Sequence, residues 1–182
     1  AAAKMMLESS LYDDGEKLKS RIMEAQAIFD QIIGEIRRIS HDLSPSILTE
    51  FGLKAAVENL CRNIFKATGI AINLSYEPEG LQPDELTSAY LYRIMQESLN
   101  NIQIHSGASQ VGISLMADQD SLYLEIGDNG KGFDMKKVSG TTGTGLYNMR
   151  ERVHILKGEI KIISCPDKGT KIRIRIPYLI EK

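Results

Sequence analysis

The stretch LYLEIGDNGKGF, residues 122–133, decides the reading of this chain. Leu122, Leu124 and Ile126 alternate with Tyr123 and Glu125, the period-two pattern of a strand with one buried face. Asp128 then places an acidic acceptor at the strand end. Gly130 and Gly132 follow in a turn where backbone can approach a ligand closely. An ordinary Asx-Gly turn has the same composition, so the meaning of the run depends on its surroundings.

Downstream, residues 140–146 read GTTGTGL and lead into a helix over 147–156. Closely spaced glycines expose N–H groups, and a helix start adds the positive end of its dipole. Together they make a lip suited to anions. A flexible surface loop is the alternative. Lys168-Gly169-Thr170 then opens an alternating strand, KIRIRI at 171–176, and the tight turn brings a hydroxyl back towards the same end.

Upstream, Pro83 suits a first helical turn, and residues 84–105 form a helix with Leu86, Tyr90, Ile94, Leu99 and Ile102 on its apolar side. Glu97 and Asn101 stand four apart, hence on one face. A carboxamide oxygen suits a hard ion such as Mg²⁺, and a carboxylate one turn away can polarise a reacting group. A solvated helix face is the bland alternative for this pair. Further strands are expected over 70–76, 110–116 and 159–164, and a helix over 53–68. The order helix, strand, helix, strand, strand, helix, strand, strand describes an α+β unit: a two-layer sandwich with a mixed sheet and its helices on one face.

The first third differs. Leu18, Ile22, Ala25, Phe29, Ile32, Ile33, Ile36, Ile39 and Leu43 recur at intervals of three and four across residues 16–48, an apolar stripe seven or eight turns long. So long a stripe needs a partner. Residues 1–10 supply part of one, and a second copy of the chain supplies the rest in a dimeric four-helix bundle. The opening AAAKMMLESSL has no cap, as in a helix already under way. Residues 1–50 are therefore expected to form a helical dimerisation segment with a truncated first helix, and residues 51–182 the mixed α/β domain.

Bulk properties narrow the classes. A net charge of −2 over 182 residues gives no general attraction to nucleic acid or anionic membrane. No apolar run approaches the ~18 residues of a membrane span, so the chain is expected to be soluble and without direct membrane contact. Cys61 and Cys165 lack metal-ligand spacing and read as reduced thiols.

Taken together, these motifs resemble the ATP-binding domain of the GHKL superfamily, which includes histidine kinases, Hsp90-type chaperones, MutL-type repair ATPases and gyrase-type ATPases. LYRIMQESLNNIQIH (91–105) is similar to the family's N box, DNGKGF to its first glycine box, GTTGTGLYNMRERV (140–153) to its second and KGT to its third. Together with ISHDLSPSILTEFGLKAAV (39–57), they are most similar to sensor histidine kinases of the nitrate-sensor and desaturase-sensor subgroup. The resemblance implies a Bergerat-type fold that binds ATP and Mg²⁺ and passes the γ-phosphate to a histidine, for relay to an aspartate of a response regulator. It implies that Asn101 ligates Mg²⁺, Glu97 orients or deprotonates the accepting group, and Asp128 accepts from the adenine amino group. Gly130 and Gly132 would let backbone close around the base. Gly143, Gly145 and Leu146 would form the lid and phosphate lip, His105 would help position the phosphates, and Thr170 would assist Asp128 through an ordered water. Ile104 departs from the pattern, standing where Lys or Arg often precedes this histidine.

His41-Asp42 looks like a phosphoacceptor pair, but only 60 residues (101 − 41) separate His41 from Asn101. The helix, strand and helix of the ATPase domain occupy most of that interval, leaving no room for a second bundle helix. The resemblance instead puts the acceptor upstream of Ala1, so this fragment is expected to bind ATP but to label poorly. His154 reads as structural. The implied location is cytoplasmic, and the parent protein is compatible with anchoring in a bacterial inner or plasma membrane. A non-catalytic nucleotide-gated dimerisation module and a hydrolytic GHKL ATPase are the competing functions.

Overall fold

The computed structural model describes residues 46–135 and 144–178, together with helical Gly15, Leu18, Ser20, Ile22 and Met23. The expected helix over 1–10, most of that over 16–48 with His41, and the glycine-rich residues 140–143 with Gly143 lie outside the described residues. Two compact units divide the chain, Ala1–Ser44 and Pro45–Lys182. The second carries the sheet.

Its elements are α1 (Ser46–Thr68), β1 (Ala71–Glu77), α2 (Glu85–Asn101) prolonged by a π turn (Ile102–Ser106), β2 (Gln110–Ala117), β3 (Ser121–Asp128), α3 (Thr144–Ile155), β4 (Glu159–Ser164) and β5 (Thr170–Pro177). The five strands form one sheet in the order β1-β2-β3-β5-β4. Only β1 and β2 run parallel, joined through α2; the other pairs are antiparallel. Burial alternates along β2 and β5 and marks one covered face, against which the helices pack. This is the mixed-sheet α+β sandwich expected from the element order.

The register aligns the apolar residues into rows running across the sheet. Leu74, Ile113, Ile126, Ile172 and Ile162 form one row, and Tyr76, Leu115, Leu124, Ile174 and Ile160 the next. Because side chains alternate strictly between faces, two further steps along each strand must return to the covered face. At one end of the sheet those positions are Asp128 on β3, Thr170 on β5 and Ser164 on β4. On these three strands the covered face turns from apolar to polar. On the opposite face Glu125 accepts from Lys171 Nζ (2.8 Å) and Arg173 Nε (2.7 Å), and the Lys171 bond first, then Arg173, hold its carboxyl below the usual range.

Two local details depart from the sequence reading. Leu86 is 56% exposed, whereas Leu91, Ile94, Met95 and Leu99 are fully buried. The covered face of α2 is rotated because Thr87, Ser88 and Ser98 are buried too, and their hydroxyls find nearby backbone or cap acceptors, Ser88 Oγ donating to Pro83 O and Ser98 Oγ to Ile94 O. A polar residue that satisfies itself locally costs little inside. Pro83 precedes the helix and is not in its first turn. Asp84 is the N-cap, its Oδ1 accepting from Thr87 N (3.0 Å) and its Oδ2 from Thr87 Oγ1 (2.6 Å).

That cap yields a prediction. Burial raises the Asp84 pKa, but the bonds from Thr87 and Leu86 together outweigh it and leave the carboxyl below its ordinary value. A folded-state pKa that is depressed contributes stability present above the unfolded value and lost as pH falls through the folded one. Asp84→Ala is expected to cost about 1 kcal/mol near neutral pH, and the difference from wild type should shrink below about pH 4. Urea melts of both proteins at pH 7 and pH 3 read this directly. A constant difference at both values would contradict the ionised cap.

The cysteines are both free thiols. Burial pushes the Cys61 thiol up to about 11, so it stays protonated and inert in the core.

Candidate functional site

At the polar end of the sheet, between α2, β3, β5 and the start of α3, lies a cavity of about 370 Å³. Its size falls within the range of small-ligand pockets. The lining on the α2 side is Glu97, Ser98, Asn101, Ile102, His105 and Ser106. The helix and its π turn keep these six on one stripe. π turns are rare and concentrate at functional sites; this one ends at Gly107, in the left-handed region at φ 63°. Ser106 Oγ donates to Ile102 O (2.7 Å) and accepts from Ala108 N (2.9 Å), so its hydroxyl satisfies a carbonyl and an N–H where the helix widens.

Across the cavity, Asp128, Gly132, Phe133 and Thr170 form the opposite wall, with Ile126 and Ile172 beneath and Gly145 and Leu146 at the α3 end. Of the residues expected from sequence, Glu97, Asn101, His105, Asp128, Gly132, Gly145, Leu146 and Thr170 all line this one space. Gly130 does not, and Gly143 and His41 lie outside the described residues. Ile104, on the π turn, is 62% exposed and is not in the lining either.

The glycines of the DNGKGF turn have a reason other than ligand approach. A Cβ on Gly130 would meet Ser106 O at 2.5 Å, where Lys131 N already donates (2.9 Å). One on Gly132 would overlap Cys165 O, and one on Gly169 would overlap Asp128 O. The turn is thus wedged between the π turn and the β4–β5 turn, and the missing side chains are replaced by neighbouring backbone. Gly132 and Gly169 also adopt φ of 58° and 69°, which glycine accepts without strain.

Asp128 is held by its own loop. Gly130 N donates to Oδ1 (2.7 Å), an Asx turn that fixes the carboxylate and leaves Oδ2 for another donor. Asn129 is structural: its Oδ1 accepts from Ser109 N and Gln110 N (both 3.0 Å), clamping the turn to the start of β2. Opposite, Asn101 Nδ2 approaches Glu97 Oε1 at 3.4 Å, and the amide oxygen has no hydrogen-bond partner among the described residues. A Cβ on Gly145 would overlap Glu97 Oε1, so a side chain here would push the carboxylate out of its present position. Sequence reading missed Ser106, Phe133 and Ser164. The parity of β4 carried a signal for Ser164, two positions beyond inward Ile162; nothing in the sequence announced a π turn.

A family model described as histidine kinase-, DNA gyrase B-, and HSP90-like ATPase matches residues 86–180, more than half of the chain. The chain belongs to this ATPase family. Among its curated relatives is the sensor histidine kinase MctS of Rhizobium johnstonii, 36% identical over 174 residues, covering 90% of this chain and 37% of that protein. Another is the signal transduction histidine-protein kinase/phosphatase DegS of Brevibacillus brevis, 33% identical over 180 residues, covering 97% and 46%. The chain spans less than half of the length of these two relatives. Two solved structures share its fold at 16% identity. The histidine kinase domain of the Erythrobacter litoralis blue-light activated kinase has a TM-score of 0.62 and covers 96% of this chain and 94% of that one. The Acinetobacter baumannii histidine kinase AdeS has a TM-score of 0.60 and covers 97% and 91%.

Proposed function

We propose that this chain is the kinase core of a two-component sensor. It binds Mg²⁺-ATP in the cavity between α2 and β3 and presents the γ-phosphate to a histidine on a helical bundle. The observation that carries this reading is the convergence of Glu97, Asn101, Asp128, Gly145 and Thr170 on a single cavity from four separate elements.

Asp128 is the base-reading group. Its carboxylate is acceptor-only when ionised, one oxygen is tied to Gly130 N, and the other suits an exocyclic amino group. Ile126, Ile172 and Phe133 supply flat apolar contact beside it. At the far end, the N-terminus of α3, with Gly145 in its first turn, suits the phosphates. The donor set fits Mg²⁺: the Asn101 carboxamide oxygen is a hard ligand with no hydrogen-bond partner among the described residues. When bound, the ion would supply charge neutralisation between the phosphates. Asn101 would hold its amide in place for that contact, and Glu97 accepts the proton from one imidazole nitrogen as the other attacks the γ-phosphorus, whose bond to the bridging oxygen breaks to release ADP. Catalysis is then mainly positioning and electrostatics.

In this reading the protein works as a homodimer through its N-terminal helices, in the cytoplasm, with a response-regulator aspartate as the next acceptor. Ile22, on the long apolar stripe, is 42% exposed in the single chain, as a stripe awaiting a partner requires. No helix among the described residues is long and apolar enough to cross a membrane. His41 is a disfavoured candidate for the accepting histidine. Calorimetric titration with ATP tests the reading: binding that strengthens with Mg²⁺ is expected, and no binding in either condition would favour a purely structural dimerisation module.

A further inference from the structure

We propose that Ser164, which does not line the nucleotide cavity, sets the hydrogen-bond polarity of Thr170 and thereby makes the base-reading wall select an amino group over a carbonyl. The inference rests on the ATP reading above and deepens it.

Ser164 is 8% exposed and sits behind Thr170, its register partner across β4 and β5. Three groups surround its Oγ: Phe133 N at 2.9 Å, Gly169 O at 3.0 Å and Thr170 Oγ1 at 3.0 Å. A hydroxyl has one proton and two lone pairs. The Phe133 N–H can only donate, so it takes one lone pair. The Gly169 carbonyl can only accept, so it takes the proton. One lone pair remains, and the contact with Thr170 then forms with Thr170 donating.

The consequence is felt in the cavity. With its proton committed to Ser164, Thr170 shows the ligand only lone pairs. Asp128, two residues beyond Ile126 on β3, likewise offers only acceptor oxygen. Acceptors therefore line the base-reading wall on both strands. A base carrying an amino group at this edge is matched, directly or through a water that donates to the wall. A 6-oxo base sets its carbonyl against two acceptors and is rejected by repulsion as well as by lost bonding.

Ser164→Ala removes the acceptor for the Thr170 proton and frees that hydroxyl to donate into the cavity. Dissociation constants for ATP and ITP, its 6-oxo counterpart, measure the effect in wild type, Ser164→Ala, Thr170→Val and the double variant, each checked for folding by circular dichroism. Wild type is expected to prefer ATP, and Ser164→Ala to narrow that preference by about five- to tenfold. The double variant should narrow it no further than Thr170→Val alone, because Ser164 acts through Thr170. Should Ser164→Ala unfold, Ser164→Cys keeps the volume while accepting hydrogen bonds weakly, and it carries the same expectation. A preference within twofold of wild type in the folded Ser164 variant, or no wild-type preference at all, overturns the proposal. Asp128→Asn separates the two levels. If it weakens ATP while the Ser164 variant changes nothing, only the role of Ser164 fails; if it too changes nothing, the adenine reading fails.

Discussion

Glu97→Gln is expected to lower phosphoryl transfer about 10²- to 10⁴-fold, the range a positioned general base contributes, while leaving ATP affinity within about threefold. Glutamine has the same shape. It still fits the gap kept by Gly145, over which Glu97 Oε1 is poised, and it can still meet Asn101 Nδ2, now 3.4 Å from that oxygen. What it cannot do is take a proton from an imidazole. The assay is single-turnover formation of acid-labile phosphohistidine at saturating Mg²⁺-ATP, in the kinase with its accepting histidine present, beside a nucleotide titration of the same variant. Unchanged turnover would remove Glu97 from the chemistry. A parallel loss of affinity would make it a binding residue.

Gly132→Ala is expected to destabilise the domain by about 2–4 kcal/mol. Two costs add. Alanine in the left-handed region gives up roughly 1–2 kcal/mol, and Gly132 has φ 58°. The new Cβ would also overlap the Cys165 carbonyl and come within 2.7 Å of Gly169 O. Both obstacles are backbone, so no rotamer change relieves them, and the DNGKGF turn must move as a body. A domain holds roughly 5–15 kcal/mol in total, so the melting temperature should fall by about 5 °C or more. Gly112→Ala is the control. That glycine lies on the uncovered face of β2 and its Cβ would meet nothing within 4 Å, so thermal melts should show a change within about 0.5 kcal/mol. Equal effects of the two substitutions would contradict the wedged turn.

The contrast between these glycines shows what sequence could and could not convey. Period-two alternation placed β3 and β5 to within a residue or two, and with them the inward face that Asp128 and Thr170 continue. Spacing of four placed Glu97 and Asn101 together on α2. Both inferences rest on local geometry, which a sequence carries directly. The contacts that wedge Gly130 against Ser106, or Gly132 against Cys165, join segments tens of residues apart, and no local pattern encodes them. The same limit explains Leu86: periodicity alone counted it apolar, whereas Thr87 and Ser88 became buried by bonding to Asp84 and Pro83. Ser164 was legible only through strand parity and looked like an ordinary strand end until its three partners were placed around it.

The central claim is that Asp128 reads an adenine amino group in the cavity beside α2. Titration of wild type and Asp128→Asn with Mg²⁺-ATP tests it most directly. Losing a hydrogen bond to a charged acceptor, with an amide now presenting a donor or a weaker acceptor, should reduce affinity about tenfold to a hundredfold, with the melting temperature of the unliganded variant little changed. Equal affinity in the two folded proteins would contradict the account and move the nucleotide, if it binds, to another part of the chain.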